Sequence, residues 1–156
     1  MKQENKKLYY EYLTLLGKGY ETGDFSELFP LLSEDCVFES QWVLYPNVGY
    51  EVIVDYLTGK GRTLKRTQSF PSCSVQELVG NINYIRNANF TVNGEKQKGA
   101  FGLYYDDGEL CLLMHQILNG ETNDVIVRLK VDEENKIKRI DLCMPELFRF
   151  KPYKNE

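Results

Sequence analysis

A single histidine, His115, is all the imidazole this sequence has, and its four cysteines never come in close pairs. Cys36, Cys73, Cys111 and Cys143 each lie more than thirty residues from the next. No Cys-x-x-Cys occurs and His115 completes no zinc spacing, so neither a metal nor another cofactor is expected. The thiols read as reduced and buried, as in a cytoplasmic protein. A basic excess is missing too: 19 Lys and Arg stand against 23 Asp and Glu, for a net charge of −4. That balance excludes a phosphate-tracking surface, so no nucleic-acid partner is expected. The two short basic clusters, Lys60-Gly61-Arg62 to Arg66 and Lys136 to Arg139, sit among acids and read as solvated faces. No apolar run is long enough to span a membrane. MKQENKKLYY carries positive charge with no apolar segment after it, which is not the pattern of a secretory signal. Gly-x-Ser-x-Gly is absent, and with it the usual hydrolase elbow. Gly59-Lys-Gly-Arg-Thr63 lacks the preceding strand and the spacing of a phosphate loop, and reads as a helix end.

Aromatic residues are plentiful instead. Eleven tyrosines and eight phenylalanines in 156 residues exceed what a core of this size needs, and many tyrosines should have one dry side and one wet hydroxyl. The length suits a single domain over residues 1–156. Leu8, Tyr12, Leu15, Leu16 and Tyr20 recur at helical spacing and predict an amphipathic helix over about 4–20. Gly19 and Gly23 loosen its end. Asp24 is a candidate N-cap for a short second helix, Phe25 to Leu32, which Pro30 should shorten or kink. A strand follows over about 35–45, stopped by Pro46 and Asn47. Val52, Ile53, Tyr56 and Leu57 then mark another helix, fading at Gly59 and Gly61. Beyond Pro71 the pattern becomes strand after strand. Cys73 to Val79 alternates, and Asn93-Gly94 joins two strand-like runs with a strong hairpin signal. Three more strands are expected over Glu109 to Leu118, Asn123 to Asp132 and Lys136 to Met144. Helices first and an antiparallel meander afterwards make an α+β layer, a curved sheet with helices on one face.

Three segments in that order, Tyr20-Glu-Thr-Gly-Asp-Phe25, Leu31-Leu-Ser-Glu-Asp-Cys-Val-Phe38 and Gly49-Tyr-Glu-Val-Ile53, resemble the nuclear transport factor 2-like superfamily, which includes SnoaL-like cyclases and ketosteroid isomerase. The resemblance implies a cone-shaped, curved antiparallel sheet with the N-terminal helices on its concave face. It also implies a homodimer formed through the sheet, as in many relatives. Roughly Pro71 to Gly99 has no counterpart in the isomerase and reads as an extra hairpin. Isomerase chemistry takes a carboxylate base from the first strand, with a tyrosine and a protonated aspartate to bind the oxyanion. By resemblance those three roles fall on Ser40, Leu16 and Val127. Serine without an activating histidine nearby is a poor base, and Leu and Val cannot donate, so that chemistry is not expected.

The stretch EDCVFESQW, Glu34 to Trp42, marks where a site would lie. The candidate catalytic groups are Glu39, Ser40 and His115. Strand alternation sets Glu39 opposite Phe38, Ser40 and Trp42, and so outside the cone. Counting back from Asn119-Gly120 sets Met114 and Gln116 on the pocket face and His115 on the other, though a slip of one residue would exchange them. Tyr12, Tyr20, Phe38, Ser40, Trp42, Tyr56, Met114 and Gln116 are the side chains expected to converge inside the cone. They suit a small apolar or aromatic ligand held by stacking and a few hydrogen bonds. Three functions compete: a small-molecule-binding protein, an enzyme with His115 or Glu39 as general base, and a dimeric scaffold whose aromatics fill the cone.

Overall fold

The computed structural model describes residues 5–40, 45–78, 88–92, 95–99, 111–143 and 152–153. Helix α1 (Lys6–Thr22) turns Tyr9, Tyr12, Leu13, Leu16 and Tyr20 to the core. It ends where Gly23 takes the left-handed conformation at φ 75° and its N–H returns to the Gly19 carbonyl, 2.8 Å away. The predicted second helix reduces to a 3-10 turn, Phe29–Leu31. The Asp24 carboxylate accepts the Ser26 N–H at 2.9 Å and holds a turn there. Pro30 then lies in the first turn of so short an element that the chain is already extended at Leu32.

Strand β1 (Leu32–Ser40) begins three residues earlier than expected, and residues 41–44, with Trp42, lie outside the described ones. A two-residue strand, β2 (Asn47–Val48), pairs with Val37 and Phe38. Helix α2 (Tyr50–Thr67) does not stop at its glycines. A Cβ on Gly61 would lie 2.2 Å from the Gly23 carbonyl oxygen, so this glycine permits close approach of α2 to the end of α1. The helix-breaking signal at Gly61 was a packing signal.

The remaining strands are β3 (Ser72–Leu78), β4 (Ala88–Val92), β5 (Glu95–Gly99), β6 (Cys111–Leu118), β7 (Glu121–Val131), β8 (Ile137–Cys143) and β9 (Pro152–Tyr153). Six of the nine described strands form one curved sheet in the order β2-β1-β8-β7-β6-β3. Neighbours β3-β6-β7-β8 are antiparallel as expected, but β1 runs parallel to β8, so the sheet is mixed. The hairpin expected at Asn93-Gly94 has its flanking strands in register from Val92↔Glu95 to Ala88↔Gly99, and β9 pairs along β4 to complete a separate three-stranded sheet. Asn93 and Gly94 themselves lie outside the described residues.

Both helices cover one face of the larger sheet. Leu13, Leu16, Ile53 and Leu57 pack there against Cys36, Phe38, Met114, Val125, Val127, Leu129, Ile140 and Leu142. A bulge at Lys138, where Lys130 pairs with Arg139 but Val131 with Ile137, lets Ile137 join them. Burying these apolar side chains contributes about 1.5–3 kcal/mol each before chain entropy is charged against it. Among the described residues no helix is long and apolar enough to cross a membrane.

Candidate functional site

The helix-covered face has a polar contact to a turn towards one end of α1 and a hollow towards the other. At the Tyr12 end the hydroxyl of that tyrosine donates to the Asn135 carbonyl in the β7–β8 turn, and burial pushes the phenol's pKa up, aided by the charges of Glu11 and Asp132. Two turns further along α1 the same face leaves a hollow of about 230 Å³. Its described lining is Tyr20 from α1, Ser40 from β1, Tyr56 and Lys60 from α2, Met114 and Gln116 from β6, Asn123 and Val125 from β7, and Leu142 from β8. Tyr20, Ser40, Met114, Gln116, Val125 and Leu142 are buried and form the floor, while Tyr56, Lys60 and Asn123 are more exposed and form the rim.

Each wall follows from its element. Ser40 faces inward because Cys36 and Phe38 precede it at period two. Tyr56 and Lys60 share a helix face one turn apart. Met114↔Val125 and Gln116↔Asn123 are directly opposed across β6 and β7, so the amides meet on the floor's edge. The Asn123 side-chain N–H2 reaches the Gln116 carbonyl oxygen at 3.5 Å, and the Gln116 N–H2 reaches the Cys73 sulfur at 3.7 Å. Tyr20 meets Phe25 edge to face at 5.1 Å, and the Lys60 ammonium stands 5.7 Å from the Tyr20 ring centre.

Burial sets the electrostatics. Tyr20 is raised far above the usual phenol range by desolvation, with smaller contributions from Tyr56 and Cys73, and Tyr56 is raised by desolvation. Both therefore remain O–H donors across the neutral range. The Cys73 thiol is pushed up to about 11 by burial and by Glu21, against a lowering effect of Gln116. It is a packing group rather than a nucleophile. Among the described residues no cluster of His, Cys, Asp or Glu could hold a metal ion.

Of the eight side chains expected to converge, five line the hollow: Tyr20, Ser40, Tyr56, Met114 and Gln116. Tyr12 lies two turns away, hydrogen-bonded to the Asn135 carbonyl. Phe38 is 1% exposed and lies behind Tyr56, ring centres 5.6 Å apart, so it supports the wall without lining it. Trp42 lies outside the described residues. Leu16 and Val127, which the sequence resemblance would set at oxyanion-donor positions, are buried in the core and are not among the described lining of the hollow. Neither of the other candidate bases reaches it. Glu39 is on the opposite face of β1, ion-paired with Arg139. His115 is paired in register with Ser74 and Asp124 and alternates with Met114 and Gln116, which puts it on that opposite face as well.

Lys60, Asn123, Val125 and Leu142 were missed. Ending α2 at Gly59 removed Lys60 from the helix face that Tyr56 already marked. The other three were legible in principle, since Asn123 and Val125 share the parity of inward Val127 and Leu129, and Leu142 that of Ile140.

No family model and no curated protein matches the sequence. Solved structures do resemble it in shape. A de novo designed protein with a curved β-sheet is 16% identical at a TM-score of 0.51, over 96% of this chain and 92% of that one. A steroid delta-isomerase from Pseudomonas aeruginosa is 15% identical at 0.47, over 91% and 78%. An uncharacterized bacterial protein with a cystatin-like fold, from Silicibacter pomeroyi, is 14% identical at 0.46, over 92% and 76%. At such identities a likeness concerns the fold, and function has to be argued from the site.

Proposed function

We propose that this protein binds a small organic molecule in the hollow between Tyr20, Tyr56 and Gln116, with no chemical step assigned. The observation that carries the proposal is a cavity of about 230 Å³ whose walls mix apolar surface with hydroxyl and amide tips. Ligand sites have that composition, with apolar walls for affinity and a few placed polar groups for orientation. The volume limits the ligand. A cavity of about 150 Å³ holds benzene, and drug-sized ligands occupy about 300–1,000 Å³. A hollow between these values suits one substituted ring, not a fused polycycle. A reaction with Glu39 or His115 as base has no support in this arrangement, because both lie across the sheet from the cavity.

The test is a thermal-shift screen of single-ring compounds against the wild type and Val125→Phe, which fills the hollow from its floor. At least one compound should raise the wild-type Tm, since a ligand that prefers the native state stabilises it, and the shift should vanish in the filled variant. No shift with any compound, or a shift that persists in Val125→Phe, would sink the proposal.

A further inference from the structure

Resting on that binding role, we infer that the ligand is a compact single-ring monocarboxylate whose carboxylate meets Lys60 at the rim while its ring enters between Tyr20 and Val125. The charge pattern around the hollow points to this class. Lys60 is the one charged side chain among the nine described lining residues, and no Asp or Glu lines the cavity with it. Two lysines away from the cavity have oxygen partners: Lys18 pairs with Glu27 at 2.8 Å, and Lys136 donates to the Pro30 carbonyl. Lys60 instead has an aromatic face, with its ammonium 5.7 Å from the Tyr20 ring centre. In a chain with net charge −4, a cation over a cavity mouth with no carboxylate among the described lining makes a local positive potential that the molecule as a whole does not have.

The other polar tips fit the same partner. Tyr56 sits one helical turn before Lys60 and shares the rim with it. Tyr56 and the Lys60 ammonium put two donors at the rim, and Tyr20 adds a phenol on the floor beneath; burial raises both phenols, so each carries its proton. Hydrogen bonds from such donors to an ionised acceptor are roughly twice as strong as neutral ones. Met114, Val125 and Leu142 on the floor have no charge to offer and suit the ring. A cationic ligand would meet Lys60 with like charge, and a neutral one would leave the mouth's donors without their strongest acceptor.

Isothermal titration of the full chain at low ionic strength with benzoate and with benzamide, which share size and shape and differ in charge, tests the inference. Wild type should prefer benzoate by about tenfold or more, a difference of about 1.4 kcal/mol per factor of ten. Lys60→Met should bring the ratio of the two affinities toward one, and Lys60→Arg should restore it. Equal or tighter binding of benzamide to wild type, or a ratio unchanged by Lys60→Met, overturns the carboxylate and leaves the cavity's binding role standing. If neither compound binds, the carboxylate inference fails. The binding role fails with it only when the wider single-ring screen also finds no ligand that Val125→Phe excludes.

Discussion

Glu39 and Ser40 are neighbours on β1 and both are buried, at 7% and 6% exposure, yet they belong to two different surfaces of the sheet. Ser40 faces the helices, among Tyr20, Met114 and Leu142 on the floor of a hollow. Glu39 faces the other way, where Asp141 and Arg128 are also buried and Arg139 pairs with both acids. The Arg139 guanidinium meets both Asp141 carboxylate oxygens from Nε at 3.0 Å. The inner face buries apolar surface and leaves a few polar tips at a cavity. The outer face buries charge, and it does so through pairing, since an isolated ion would cost far more than the fold could return. A buried carboxylate on a strand is therefore a poor indicator of catalysis until its partner is known. Here the partner is Arg139, one hundred residues later in the chain.

Substitutions can break that contrast face by face. The largest effect is expected on the inner face, where Phe38→Ala removes a fully buried ring that also supports Tyr56. It should cost about 3–5 kcal/mol in urea denaturation and weaken ligand binding with it. On the outer face, Glu39→Ala leaves Arg139 with Asp141 as partner, so the loss should be smaller, about 1–3 kcal/mol. Affinity for a ligand in the hollow should not change, and a Glu39→Ala protein that folds but no longer binds would show that the two faces are not independent. Smaller again is Tyr12→Phe, which removes the hydroxyl donated to the Asn135 carbonyl and should cost about 1 kcal/mol. Tyr20→Phe, at the open end of the same helix, should alter ligand affinity more than stability.

The gentlest probe is the Cys73 thiol beside Gln116. Its folded pKa lies near 11, above the 9.0 of a free thiol. Site-resolved alkylation in the native protein at pH 8 should run about a hundredfold slower than in urea, and should climb about tenfold per pH unit toward pH 11. Because the raised value means the folded state holds this proton more tightly, the associated stability is complete below about pH 9 and is lost as pH rises through about 11. Rapid native alkylation at pH 8 would mean that the thiol is far better solvated than its packing against α1 indicates.

Much of this was legible in residue order. Leu16 and Tyr20, then Ile53 and Leu57, place two helices by period alone, and the Asn93-Gly94 dipeptide places a hairpin register. Alternation along β1 and β6 was enough to separate Ser40, Met114 and Gln116 from Glu39 and His115. What failed were the signals whose meaning depends on a distant partner. Gly61 looks like a helix end until the Gly23 carbonyl occupies the space where a Cβ would be. Lys60, one residue away, was lost with it and read as part of a solvated cluster. The parallel pairing of β1 with β8 joins segments one hundred residues apart and leaves no local trace, so a meander alone could not show that the sheet is mixed.

By itself, then, the sequence determined the elements and which side chains share a face, because those depend on the 3.6- and 2-residue periods of the backbone. Tertiary structure decided which buried polar groups are satisfied by pairing and which surround a cavity. Glu39 is held by an arginine from β8, and Tyr12 by a turn between β7 and β8. Tyr20, equally aromatic and on the same helix, lines the hollow, with Lys60 from α2 near its ring and no described side chain filling the space beside it. Those outcomes rest on contacts between residues far apart in the chain, and a local pattern carries no information about them.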